Sequence, residues 1–429
     1  MAFDFDVVIA GGGPAGSSTA NLLCQRKRKV LLLERDRFPR FHIGESMLPF
    51  ANDIWKELGV FEKMDAMFIH KPGAKFVHEE SGAEFTYYFD TAIRPGRPYA
   101  FQLKRAEFDL MLLEHAASLG ACVRQETRVA DVDFAADGVT VKCERAGEKY
   151  QVTAPVFVDA TGRDALIANR RQLKETDGLV TTNVAVHTMY RDVERDPGED
   201  EGNIIIGLFG GGWWWVIPFK DGDTSVGMVL EKDFSKLRRG ASTEELFEAG
   251  LSATPHLRGR LARARRTFSV EAQGNWSYRS RLFYGDRLLM VGDSAAFVDP
   301  LFSTGVLFAV HGAKFAAEHL DRALTDGDFR AERFQTYQEQ CVAGMDIFKG
   351  LVHEFYAENL RRVLMASAHN PTVCSAITSM LAGDVYKRSM WHSLVKKGFS
   401  HHAEVEGVPG VKSSRELMEQ AGRLDKQAD

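Results

Sequence analysis

The sequence predicts an α/β protein: a Rossmann-like nucleotide-binding domain, an inserted domain of mostly antiparallel sheet, and a helical C-terminal region. Three observations carry this prediction. A glycine-rich turn, Gly11-Gly12-Gly13-Pro14-Ala15-Gly16, directly follows the apolar run Phe5 to Ala10 and opens a helical pattern. From about residue 175 to residue 280 the chain changes to short apolar runs with Gly and Asp at the turns, the texture of antiparallel strands. From Val306 onward helical spacing dominates, punctuated at His369-Asn370-Pro371 and Ala382-Gly383-Asp384. The boundaries expected are 1–174 for the first part of the nucleotide domain, 175–280 for the insert, 281–330 for completion of the nucleotide domain, and 331–429 for the helical region.

Taken in order, residues 4–36 read as strand, turn, helix and the strand Val30 to Leu33. A helix is expected over Ala106 to Leu119, where Phe108, Leu112, Ala116 and Leu119 recur at helical spacing. Strands follow at Val123 to Phe134 and Val139 to Cys143, joined by a turn at Asp137-Gly138, and a buried strand at Val156 to Asp159 runs into Ala160-Thr161-Gly162. The insert offers Thr181 to Tyr190, Asn203 to Phe209, Trp213 to Phe219 and Ser225 to Leu230 as strands. The nucleotide domain resumes at Arg287 to Asp293. The charged stretch Ser413 to Asp429 reads as a fraying helix.

A chain of 429 residues with a net charge of −5 has room for more than one core and no electrostatic reason to bind nucleic acid. The basic runs at Arg26 to Lys29 and Arg258 to Arg266 read as solvated faces. No apolar run is long enough to span a membrane, and the N-terminus enters a strand without a signal-peptide pattern, so a cytoplasmic protein is expected. Cys24, Cys122, Cys143, Cys341 and Cys374 lie far apart with no CxxC, which argues against a disulfide framework or a dithiol centre. His401-His402 has no third ligand nearby, so no metal is expected.

The turn supplies Gly11, Gly13, Pro14, Ala15 and Gly16, glycines where the backbone must bend tightly or approach a pyrophosphate, at a helix whose free N–H groups face the anion. Glu34, at the end of the next strand, is placed to accept from an unphosphorylated ribose, as in FAD or NAD. Val291-Gly292-Asp293-Ser294-Ala295 favours FAD, since an acid there can bond a ribityl chain while small residues let it approach. With Val158-Asp159-Ala160-Thr161-Gly162-Arg163 as the third motif, residues 4–330 resemble FAD-dependent monooxygenases of the p-hydroxybenzoate hydroxylase type. That resemblance implies that Arg105 contacts the flavin.

Within that superfamily the chain resembles the flavin-dependent halogenases. Gly212 to Pro218 contains their W-x-W-x-I-P pattern in Trp213 and Trp215, and Phe297 to Gly305 their F-x-x-P-x-x-S-x-G pattern. The resemblance implies that the tryptophans keep substrate from the flavin. It places Pro300 and Gly305 at the cofactor and Ser303, Thr304 and Gly305 at a chloride or bromide, where a helix start suits an anion. It also implies that Lys71, heading Lys71-Pro72-Gly73-Ala74 after Gly44-Glu45-Ser46, receives hypohalous acid made with FADH2 and oxygen; Lys75 is a rival. Burial would make the ammonium form less favoured, so that the amine can form a haloamine, or the ammonium can donate a hydrogen bond that polarises the hypohalite. Enzymes of this kind that act on free tryptophan carry a glutamate before the motif's serine. Phe302 stands there in this chain, which in its whole length, including Gly383-Asp384-Val385-Tyr386, is more similar to those halogenating phenols or carrier-tethered pyrroles. The absence of a second dinucleotide fingerprint implies a separate flavin reductase as partner. The readings that compete are an aromatic hydroxylase using NAD(P)H, a reductase of isoprenoid double bonds, and a carrier-binding flavoprotein without catalysis.

Overall fold

The computed structural model describes residues 3–94, 98–176, 183–232, 234, 240–274, 277–366, 371–386 and 412–420. Its nucleotide-binding sheet has six strands in the order Tyr284–Gly285, Leu288–Met290, Val156–Asp159, Val7–Ala10, Val30–Leu33 and Cys122–Arg124. All pairings but the first are parallel. The central strands are buried, and apolar except for Asp159 at the end of Val156–Asp159, because helices Pro14–Gln25, Arg105–Ser118 and Thr304–Asp326 cover the sheet. The sequence suggests one strand over 123–134, but the structure has two, Cys122–Arg124 and Thr127–Phe134. Between them Glu126 has a φ of 55°, which turns the chain out of the parallel sheet and into a three-stranded antiparallel meander with Val139–Arg145 and Glu148–Ala154.

The second large sheet runs Arg265–Arg266, Val184–Arg191, Asp223–Leu230, Gly212–Pro218, Ile204–Phe209, Gly73–His78 and Glu84–Tyr88, with Glu271–Gly274 also on Val184–Arg191. It reaches beyond the stretch 175–280. Gly73–His78 joins it parallel to Ile204–Phe209, and Glu84–Tyr88 adds antiparallel beyond that. This borrowing puts the segment holding Lys71 beside the insert. The stretch also contains two helices the strand texture did not suggest, Thr243–Ser252 and Pro255–Arg260. A capping box between Ser242 and Glu245 starts the first, and its Phe247 is buried under the sheet.

The C-terminal region is helical over Gln335–Tyr356, Asn359–Ala366, Pro371–Leu381 and Ser414–Gln420. Residues 369–370, 401–402 and 421–429, on which some of the sequence readings fall, lie outside the described residues. Among the described residues no helix is long and apolar enough to cross a membrane, and no cluster of three potential metal ligands occurs. All five cysteines are free thiols.

Candidate active site

Two helix N-termini converge on one cavity of about 550 Å³. Gly11, Gly13, Pro14, Ala15 and Glu34 line it, and so do Pro300, Ser303, Thr304 and Gly305 with Trp213 and Trp215. Arg105 and Asp293 are also on its wall. The sequence therefore spreads these residues over nearly three hundred positions, and the fold brings them to one hollow.

The glycines divide by role. A Cβ on Gly16 would sit 1.9 Å from the Gly11 carbonyl oxygen, and one on Gly11 would sit 2.1 Å from that of Ala160, so both positions are closed by backbone. A Cβ on Gly13 would meet only the Arg40 guanidinium, at 3.5 Å, and would otherwise enter the cavity. Gly13 thus keeps open the approach to a helix N-terminus that has no side-chain cap of its own. Glu34 is 5% exposed, and its carboxylate accepts from the backbone N–H of Gly12 at 2.6 Å and of Asp36 at 2.8 Å. These charge-assisted bonds hold the acid against the cavity wall.

Arg105 is buried rather than a surface charge at a helix start. Its guanidinium donates twice to Asp109, at 2.8 and 3.0 Å, and once to the Ile43 carbonyl at 3.0 Å. Arg40 approaches the same Asp109 at 3.3 Å, so one carboxylate faces two guanidiniums and the cluster presents positive charge to the cavity. Burial raises the Asp293 carboxyl to about 6 against the pull of Arg105 and Arg163. Together, an open glycine, an uncapped helix start, a ribose-side acid and a cationic wall fit the phosphate and sugar parts of FAD.

Ser303 adopts a φ of 57° and forms the N-cap of Thr304–Asp326 without bonding the helix through its side chain. A Cβ on Gly305 would touch only Phe297, at 3.5 Å. Strand alternation explains the aromatic motif. Trp213 and Trp215 face the cavity with ring centroids 5.8 Å apart, while Trp214 points to the opposite side and donates to Glu79 at 2.7 Å. Trp215 is pinned by Ser225 at 3.2 Å and Trp213 by the Tyr356 hydroxyl at 3.2 Å.

Lys71 stands behind Ser46, which lines the cavity. It is 2% exposed, and its Nζ donates to Ser46 Oγ at 2.8 Å and to the Met47 carbonyl at 3.0 Å. Burial lowers it from 10.5 to about 7, with no carboxylate among the described residues to oppose the shift. Lys75 instead pairs with Glu84 at 2.9 Å and Asp196 at 3.1 Å. His70, beside Lys71 in sequence, is exposed, pairs with Asp65 and stacks on Tyr99.

Three site residues were not assigned from the sequence. Arg40 follows a proline and has no motif of its own. Glu45 and Ser46 are visible only as part of a Gly-Glu-Ser triplet, and contact with the cavity is what distinguishes them. Burial raises Glu45 to about 7.

A family model for the FAD binding domain matches residues 4–346. The 1H-pyrrole-2-carbonyl-(peptidyl-carrier protein) chlorinase of Pseudomonas fluorescens is 31% identical over 89% of this chain and 90% of its own. The corresponding brominase of Pseudoalteromonas luteoviolacea is 31% identical over 90% of this chain and 94% of its own. Among solved structures, the flavin-dependent brominase Bmp2 superposes with a TM-score of 0.83 at 28% identity, covering 92% of this chain and 98% of that one. These relatives support FAD and halide as the reagents and leave the hydroxylase reading without support. An FAD domain matched over most of the chain and halogenating relatives matched almost end to end make this protein a member of the flavin-dependent halogenase family.

Proposed function

We propose that the halogenase acts on an electron-rich ring of the pyrrole or phenol class, that the ring arrives on a carrier protein, and that Lys71 delivers the halogen to it. The observation that carries the delivery step is a lysine buried to 2% whose amine, with no carboxylate partner among the described residues, reaches the cavity lining through Ser46. The tethered substrate is supported by two relatives, each matched over about nine-tenths of its length, that act on a carrier-bound pyrrole. Phe302 in place of a glutamate before Ser303 agrees with it.

In this reading Gly13 and the helix behind it bind the pyrophosphate, Glu34 the ribose, and Arg105, Asp293 and Pro300 the flavin side. Reduced flavin, supplied by a separate reductase in the cytoplasm, provides with oxygen the oxidant that turns halide into hypohalous acid. The start of Thr304–Asp326 favours a chloride or bromide near Ser303, Thr304 and Gly305 through its unpaired N–H groups. Trp213 and Trp215 fill the space in which an aromatic substrate would otherwise meet the oxidant directly, so the ring is halogenated at Lys71 rather than hydroxylated at the flavin.

The test is incubation with a flavin reductase, NADH, FAD and bromide, offering a pyrrole-2-carbonyl carrier protein and free phenols in parallel, read by mass spectrometry. Brominated carrier-bound pyrrole, dependent on the reductase, is expected. Bromination of free phenols with the carrier-bound pyrrole untouched would overturn the tethered-substrate reading.

A further inference from the structure

We propose that Ser46 is a second catalytic residue, a proton relay that completes halogen transfer from hypohalous acid to Lys71. The inference rests on the reading of Lys71 given above. Its ground is a rigid frame. Residues 45–47 bond to strand Ala100–Gln102 through a bridge between Ser46 and Gln102, the Met47 N–H donating to the Phe101 carbonyl at 2.9 Å, and the Leu103 N–H donating to the Glu45 carbonyl at 2.9 Å. Ile69–Lys71 pairs antiparallel with that same strand. Both partners are therefore anchored to one strand, and Lys71 reaches across to Ser46 at 2.8 Å.

A neutral amine has two N–H groups, and this one has two acceptors, Ser46 Oγ and the Met47 carbonyl, so its lone pair is left free. Ser46 is also the member of the pair that lines the cavity, and a hydroxyl that accepts from nitrogen keeps its own proton to donate. In the step that follows, the Lys71 lone pair attacks the halogen of HOX. The N–X bond forms as the O–X bond breaks. A proton passes from Nζ to Ser46 Oγ while the Ser46 hydroxyl proton passes to the departing hydroxide, which leaves as water. The sum is R–NH2 + HOX giving R–NHX + H2O, with the halogen's oxidation state unchanged and Ser46 restored. The ring then takes X and returns the proton to nitrogen.

The test compares wild type, Ser46→Ala, Ser46→Thr and Lys71→Ala under saturating FAD, reductase and bromide, recording product formed per oxygen consumed so that changes in flavin affinity divide out. A second readout adds hypobromite directly to the protein loaded with oxidised FAD and follows bromine incorporation at Lys71 by peptide mass spectrometry. Ser46→Ala is expected to lower both by at least about tenfold and Ser46→Thr to restore them, as a relay acting through its hydroxyl requires. A Ser46→Ala protein with the wild-type ratio overturns the relay if Lys71→Ala loses product, and it is the Lys71 reading that fails if Lys71→Ala keeps it. A lowered ratio without slower bromination of Lys71, or without rescue by threonine, makes Ser46 structural and also overturns the relay.

Discussion

Lys71 and Lys75 are four residues apart and meet opposite surroundings. Lys71 ends the short strand Ile69–Lys71, is 2% exposed, and among the described residues has a hydroxyl, a carbonyl and the face of the Phe89 ring for partners, with no carboxylate. Lys75 lies in Gly73–His78, where Glu84 of the neighbouring strand and Asp196 close on it, and Asp196 also holds Arg260 at 2.8 Å. Burial without a counter-charge disfavours the ammonium of Lys71, whereas Lys75 is tied into ion pairs with two carboxylates. On the proposed reading the same side chain is thus a nucleophile at one site and a strut at the other. What decides between them is the supply of carboxylates.

The strongest way to break this contrast is to remove each amine. Lys71→Ala is expected to lower product per oxygen consumed by about 100-fold or more, and Lys75→Ala to leave it within about threefold, judged against the range for single acid–base groups. Free hypohalite, trapped by a thioether, should rise in the first variant alone. The reverse pattern would assign delivery to Lys75.

The contrast sharpens with pH. Lys71 is lowered to about 7, so its amine form grows in as pH passes upward through that value. Product per oxygen should therefore rise by about tenfold between roughly pH 6 and roughly pH 8 in proportion to the free amine. Glu45 and Asp299, each raised by burial to about 7, titrate in the same window. Glu45 lines the cavity, and its ionisation would add negative charge there and oppose a halide. Glu45→Gln should accordingly steepen the rise. A profile that is flat in both proteins would remove the Lys71 amine from the pH-dependent step.

Much of this site was legible in the sequence because its signals are local. Gly11 to Gly16 encode a turn, alternation along Trp213 to Trp215 sends two indoles to one side, and Ser303 to Gly305 mark a helix start. The contrast between the lysines was not legible. Asp196, which pairs with Lys75, lies 121 residues away, and the pairing exists because Gly73–His78 joins the insert's sheet in parallel, a choice no turn residue announces. The bend at Glu126 is similar: a non-glycine residue with positive φ carries little signal, so two strands read as one. Ser46 escaped for a third reason, that its importance lies in what a distant strand delivers to it.

The smallest expected effect concerns stability, and there the two lysines should differ in sign. Lys71 has a folded value of about 7 against 10.5 for the ordinary side chain, so between these limits the unfolded chain binds a proton that the folded chain does not. Stability therefore rises with pH across that window, and the burden of burying Lys71 is greatest at pH 7 and below. At about 1.4 kcal/mol per pH unit the burden amounts to a few kcal/mol near neutrality and fades toward pH 10. Lys71→Met removes it while leaving the Met47 carbonyl without its donor, a loss of about 1–3 kcal/mol. The net gain near pH 7 should be about 1–2 kcal/mol, turning to a loss near pH 10. Lys75→Met leaves Glu84 with Lys412 and Asp196 with Arg260, and because the lost partners are part-buried a loss of about 1–3 kcal/mol is expected. Urea midpoints measured near pH 7 and near pH 10 would show the first variant changing sign and the second staying below wild type at both. A Lys71→Met protein less stable than wild type near pH 7, with no change in the difference at higher pH, would mean that Lys71 is charged in the folded state, and the contrast between the two lysines would be lost.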